Sequence, residues 1–124
     1  MKTIALIVDD DENNLLLGTD LLEQDDFVVF VAATATLGIS AALREKPDII
    51  VMDMRLPDMR GSDAAKVLQD NEVTHHIPIV FVTASVMADG LEELDPFPDS
   101  ILIRKPINTR TFAKEIRRIV PSDL

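Results

Sequence analysis

The chain has 124 residues, 47% hydrophobic and 27% charged, the balance expected of one soluble globular domain covering 1–124. A net charge of −10 opposes direct binding to nucleic acid, and the absence of cysteine excludes disulfides and thiolate metal sites. No apolar run approaches the roughly 20 residues of a membrane helix, and Met1-Lys2-Thr3 leads into an apolar stretch too short for a secretory signal, so the cytoplasm is the expected compartment.

The first apolar run is Thr3–Val8 (TIALIV), and it ends in Asp9-Asp10-Asp11-Glu12. Leu17, Leu21 and Leu22 then carry helical spacing, with Asp11 or Asn13 as the cap. The second run is Phe27–Ala32 (FVVFVA), followed by helical spacing at Ile39, Ala42 and Leu43 that ends at Lys46-Pro47. The third run, Asp48–Met52 (DIIVM), leads into Asp53. Ala64, Val67 and Leu68 repeat the helical pattern after Gly61-Ser62, with Ser62 as N-cap. The fourth run, Ile77–Val82 (IPIVFV), leads into Thr83. The stretch from Ala84 to Leu94 is the weakest helical segment, because it contains Gly90 and is followed by Pro96 and Pro98. The fifth run, Ser100–Ile103 (SILI), leads into Arg104-Lys105-Pro106, and Phe112, Ile116 and Ile119 form the last stripe after a cap at Asn108.

None of the five runs alternates cleanly with polar residues. Continuous Val, Ile and Phe runs of this length fit strands covered on both faces. Five β-α alternations imply right-handed crossovers, and so a doubly wound α/β fold with one parallel sheet between two layers of helices. The chain stops just after the fifth helix, so no output domain is expected.

In such a sheet, ligands bind beyond the carboxyl ends of the strands, where the strand order reverses. The residues there are Asp9 and Asp10, Asp53, Thr83 and Lys105. With the common strand order they converge on one edge. Three carboxylates so placed repel each other unless a cation compensates. Oxygen donors without histidine or cysteine select a hard ion, and few carboxylates with carbonyl and water suit Mg²⁺ better than a Ca²⁺ cage. The Lys105 ammonium and Thr83 hydroxyl complete a site suited to a transferred phosphoryl group.

These residues resemble response-regulator receiver domains. The matching segments are Ile7-Val8-Asp9-Asp10, the stretch from Pro47 through Asp53 and Pro57 to Gly61, Pro78 through Thr83-Ala84, and Lys105-Pro106. The resemblance implies a flavodoxin-like (βα)5 sandwich with strand order 2-1-3-4-5. It implies that Asp53 accepts a phosphoryl group from the phosphohistidine of a sensor histidine kinase or phosphotransfer protein. It further implies that Asp10 binds Mg²⁺ directly, Asp9 mainly through water, and the Arg55 backbone carbonyl as a further ligand. Lys105 and Thr83 would contact the phosphoryl oxygens, beside a small Ala84, and the Lys105–Pro106 bond would be cis. Output to a downstream effector would pass through the face of the fourth helix, fifth strand and last helix, in a signalling switch rather than an enzyme with a separate substrate. Asn14, Val86-Met87 and Lys105-Pro106-Ile107 look similar to stand-alone cell-cycle regulators and the receivers of hybrid kinases.

Three positions depart from that pattern. Leu102 stands where the family usually has Tyr or Phe, in a chain with no Tyr or Trp. The acidic, proline-containing segment Asp89–Asp99 replaces the usual approach to the last strand. Arg55 sits at the site rim, where an aspartyl-phosphate hydrolase would need a second Asp. A flavin carrier is disfavoured because no Ser/Thr/Gly-rich phosphate loop follows the first strand. The remaining alternative is a phosphorylation-independent docking or dimerisation module. Arg110, Lys114, Arg117 and Arg118 on the last helix offer charge pairing for a homodimer, while His75-His76 read as a solvated loop.

Overall fold

The computed structural model describes residues 2–84 and 101–120. In chain order these form β1 (Thr3–Val8), α1 (Glu12–Glu23), β2 (Phe27–Ala32), α2 (Ala35–Glu45), β3 (Ile49–Asp53), α3 (Gly61–Gln69), β4 (Ile79–Thr83), β5 (Ile101–Arg104) and α4 (Phe112–Ile119). Beyond Ala84, the expected helix of 84–94 and the Pro96-Phe97-Pro98 segment lie outside the described residues.

The five strands are parallel in the order β2-β1-β3-β4-β5. The chain steps from β1 outward to β2, then returns past β1 to β3, so the direction of winding reverses between β1 and β3. The apolar runs fail to alternate because each strand side chain meets a helix layer whichever way it points. Ala5, Ile7, Ile49, Val51, Val80 and Val82 pack on one face with Leu22 of α1 and Phe112 and Ile116 of α4. Leu6, Val8, Ile50, Met52 and Phe81 pack on the other with Ala41 and Ala42 of α2 and Ala64, Ala65 and Leu68 of α3. The edge strands depart from this, with Val28 and Val31 of β2 and Arg104 of β5 exposed.

Some boundaries differ from the sequence expectation. The last three strands each reach one residue further than their apolar runs, because ladder pairing continues through Asp53↔Val82 and Thr83↔Arg104. Asp48 stands outside β3. Its amide donates to the Ile4 carbonyl at 2.8 Å, and its Oδ2 accepts from the Ile4 amide at 2.8 Å. Pro78 has no amide to donate, and β4 begins after it. Asp11 caps α1 by accepting from the Asn13 amide at 2.9 Å. Ser62 is not a cap, because α3 already begins at Gly61 behind Arg60. Asn108 caps the turn before α4, its Oδ1 accepting from the Arg110 amide at 3.0 Å, and the helix starts at Phe112.

The inner stripes of α1, α2 and α3 are also smaller than expected. Leu17 and Val67 face outward, and Gly18 and Ala65 are buried instead. The helices lie too close to the sheet for larger residues. A Cβ on Gly18 would stand 2.9 Å from Ile7 Cδ1, and one on Gly38 would stand 2.7 Å from Val8 Cγ2. The far end of the fold is tied by Arg117, which donates to Thr3 Oγ1 at 2.8 Å, to Asp25 Oδ2 at 3.2 Å and to the Asp25 carbonyl, with its guanidinium 4.0 Å over the Phe27 ring. That residue is therefore engaged within the chain.

The tightest approach is at Gly61, where a Cβ would fall 2.3 Å from the main-chain oxygen of Asp53. Neither backbone can yield without moving the end of β3. Gly61→Ala is expected to destabilise the fold by about 1–3 kcal/mol or more, measured by urea unfolding followed by far-ultraviolet circular dichroism. Gly18→Ala, whose Cβ meets only the flexible tip of Ile7, is expected to be better tolerated.

Candidate functional site

The carboxyl ends of β1, β3, β4 and β5 deliver Asp9, Asp53, Thr83 and Lys105 to one edge of the sheet. Asp9, Asp53 and Thr83 are buried, and Asp10 is exposed beside them. Carboxylate oxygens of Asp9, Asp10 and Asp53 lie within 4.8 Å of one another, the only grouping among the described residues that could hold a metal ion. His75 and His76 belong to no such cluster; their exposed rings meet edge to face at 5.6 Å.

Lys105 holds this edge together. Its Nζ lies 2.8 Å from Asp53 Oδ2 and 3.1 Å from Asp9 Oδ2. The lysine leaves the sheet beside Thr83, because its amide donates to the Thr83 carbonyl at 2.8 Å, and the Lys105–Pro106 bond is cis. The other oxygen of each carboxylate is held by a main-chain amide two residues on: Asp9 Oδ1 accepts from Asp11, and Asp53 Oδ1 accepts from Arg55, both at 2.9 Å. Both carboxylates are thus oriented at two points before any ligand binds.

The charges do not balance. Three carboxylates and one ammonium carry two net negative charges. Burial raises the Asp53 pKa above its ordinary 3.8, and the hydrogen bonds from Lys105 and Arg55 offset this only in part, against the added repulsion of Asp9. For Lys105, burial alone would lower the pKa, but the hydrogen bonds and charges of Asp53 and Asp9 outweigh it and the net shift is upward. The lysine therefore stays charged while Asp53 still lacks full compensation. Oxygen donors with an unmet charge of two and no nitrogen or sulfur fit a hard divalent cation.

Between β3 and α3 the chain forms a tight loop. Arg55 and Arg60 pair across it as an antiparallel bridge, and the Gly61 amide donates to the Met54 carbonyl at 2.9 Å. Leu56 and Met59 tuck against the core, and Arg55 is exposed at the rim. At the tip, Asp58 reaches the first turn of α2. Its Oδ1 accepts from the Ala35 amide at 2.8 Å, and its Oδ2 accepts from the Thr36 amide at 2.9 Å and the Thr36 hydroxyl at 2.6 Å. The Thr36 hydrogen bonds, followed by that from Ala35, lower the Asp58 pKa to about 2. Sequence reasoning missed this residue. Its partners lie more than 20 positions away, and no local signal marks an Asp that caps a distant helix. Leu102 pairs with Phe81 in the sheet and is half-buried against the same core face.

Comparison with known proteins gives one consistent answer. The family model described as "Response regulator receiver domain" matches residues 5–117. The polar-differentiation response regulator DivK of Brucella ovis is 32% identical over 117 residues, covering 94% of this chain and 95% of that protein. A CheY-like response regulator receiver domain protein of Methanospirillum hungatei JF-1 superposes with a TM-score of 0.88 at 26% identity, over 97% of this chain and 94% of that one. The chemotaxis response regulator CheY4 of Vibrio cholerae, at 22% identity, shares the fold with a TM-score of 0.88 over 96% and 99% of the two chains.

The burial of Asp53 has a measurable sign. An acid whose pKa is raised by folding loses stability for the fold as pH climbs from its unfolded value, 3.8, through its folded one. Asp53→Asn removes that loss and leaves Lys105 paired with Asp9. In a chelating buffer near pH 7, Asp53→Asn is therefore expected to melt at a higher temperature than the unsubstituted chain, with the gap closing toward pH 4. A lower melting temperature for Asp53→Asn at pH 7 would mean that the Lys105 pair outweighs burial.

Proposed function

This chain belongs to the response regulator receiver domain family of two-component signalling, and from that premise we propose that it is a Mg²⁺-dependent switch phosphorylated on Asp53. The observation that carries the reading is the Lys105 ammonium between Asp53 and Asp9, with Asp10 alongside. In this reading the donor is a phosphohistidine of a sensor histidine kinase or phosphotransfer protein. An Asp53 carboxylate oxygen bonds to phosphorus as the phosphorus–nitrogen bond breaks. The electron pair leaves with the imidazole, which takes up a proton.

Asp9, Asp10, Asp53 and the Arg55 carbonyl are the groups that would hold Mg²⁺, which when bound supplies positive charge to the phosphoryl oxygens. The chain's own residues do the rest. The Arg55 amide and Lys105 keep the Asp53 carboxylate from turning. Lys105 offers the phosphoryl oxygens the ammonium that now bridges Asp53 and Asp9. The Thr83 hydroxyl donates to one of those oxygens. Catalysis in this reading extends only to the domain's own phosphorylation and dephosphorylation.

Phosphorylation adds about two negative charges and new acceptors. A shift from 1:99 to 99:1 between two arrangements needs about 5.5 kcal/mol. Two or three charge-assisted hydrogen bonds at about 1.5–3 kcal/mol each supply that amount. The effector would read the change on the face that includes β5 and α4. With Leu102 in place of an aromatic side chain, no phenolic hydroxyl is offered there.

Intact-mass spectrometry after incubation with Mg²⁺ and a small-molecule phosphodonor tests the proposal. One added phosphoryl group is expected, lost with a chelator and absent in Asp53→Asn. No adduct, under conditions that label another receiver domain, would overturn it in favour of a phosphorylation-independent docking or dimerisation module.

A further inference from the structure

Outside the acidic edge, Asp58 accepts three hydrogen bonds although it is exposed. The first turn of α2 is not wholly buried: Thr36 is exposed and water could satisfy its amide, although Ala35 is buried. Nor does α2 lack a cap of its own, because Thr34 Oγ1 accepts from the Leu37 amide at 3.1 Å. Helix capping therefore accounts for the bond to the buried Ala35 amide, but not for the second oxygen engaged by exposed Thr36.

The contact makes better sense from the side of the loop. Residues 54–60 leave β3 immediately after Asp53, and the Arg55 amide holds Asp53 Oδ1 at 2.9 Å. The base of the loop is fastened by Gly61 to Met54, and its middle rests on the core through Leu56 and Met59. Asp58 fastens the tip. The contacts then close a ring around the site. The Asp9 amide donates to the Ala32 carbonyl at 3.0 Å, at the end of β2. The chain runs from there through Thr34 into α2, across Asp58 to the loop, through Arg55 to Asp53, and by Lys105 back to Asp9. The α2 end of the ring is rigid, because the helix lies against β1 with Gly38 over Val8.

We propose that Asp58 is a positioning residue for the metal and phosphoryl site, holding the Arg55 peptide unit in place against Asp53 by anchoring the loop tip to the first turn of α2. The inference rests on the Mg²⁺-dependent reading of the acidic edge. Outer residues that orient metal ligands commonly change affinity by tenfold or more. The Asp58 carboxylate, with its pKa at about 2, remains ionised throughout the range in which such a switch would work.

The test separates positioning from helix stability. Thr34→Ala removes the local cap of α2 without touching the loop, and Asp58→Ala releases the loop. Both are expected to lower the melting temperature. Mg²⁺ affinity, measured by isothermal titration calorimetry, is expected to fall on the order of tenfold in Asp58→Ala and to stay unchanged in Thr34→Ala. The backbone amide resonance of Arg55, recorded without Mg²⁺, is expected to move only in Asp58→Ala. Thr36→Val removes one of the three hydrogen bonds and should give a smaller loss of affinity, which keeps the test open if Asp58→Ala does not fold. Unchanged Mg²⁺ affinity in both Asp58→Ala and Thr36→Val, or an equal loss in Thr34→Ala, would overturn the inference while leaving the metal reading intact. No saturable Mg²⁺ binding by the unsubstituted chain would overturn the metal reading, and the inference with it.

Discussion

The contact between Lys105 and the two buried carboxylates organises this molecule. An ammonium 2.8 Å from Asp53 and 3.1 Å from Asp9 joins the ends of three strands that are far apart in the chain. Taking such charges out of water costs several kcal/mol each in the general case, and one cation cannot satisfy three carboxylates. The site is therefore assembled but electrostatically unfinished. Its oriented oxygen donors and residual negative charge suit a cation, and its fixed ammonium suits an anionic group.

The rest of the fold keeps that arrangement from relaxing. A sheet covered on both faces has no soft side toward which strand ends could drift. Small residues let α1 and α2 approach until Gly18 and Gly38 nearly touch strand side chains. Gly61 brings the start of α3 against the main chain of Asp53. The helices thus transmit stiffness to the acidic edge, although they contribute few of its functional groups. The loop after Asp53 is held at its base, middle and tip, which suits a segment that presents main-chain groups to a ligand.

Much of this was legible in the amino-acid order. The β1 and β2 apolar runs coincide with their strands, in β1 because a buried strand has to be apolar over its buried length, and in β2 although Val28 and Val31 are exposed. The later runs missed by a residue at the end that matters. Asp53 and Thr83 read as the first polar residues after a strand, yet both are its last paired members, because hydrogen bonding to the neighbouring strand continues regardless of side-chain polarity. Helix stripes were harder to read. Leu17 and Val67 look like core residues by spacing, but a helix pressed onto a sheet buries whichever residues are small enough to fit, here Gly18 and Ala65.

What the sequence determined by itself was the alternation of elements, a sheet covered on both faces, and the chemical types at the strand ends: acids, a hydroxyl and an amine. These are local properties, set by periodicity and by which residue interrupts an apolar run. Only the tertiary structure decided how the groups meet. Winding order brought β3 beside β1 and placed β5 two strands from β3, yet Lys105 reaches back to both acids, a contact spanning 52 positions to Asp53. It also joined Asp58 to α2 and Arg117 to Thr3, Asp25 and Phe27. Such pairings depend on the packing of whole layers, and no window of neighbouring residues contains them.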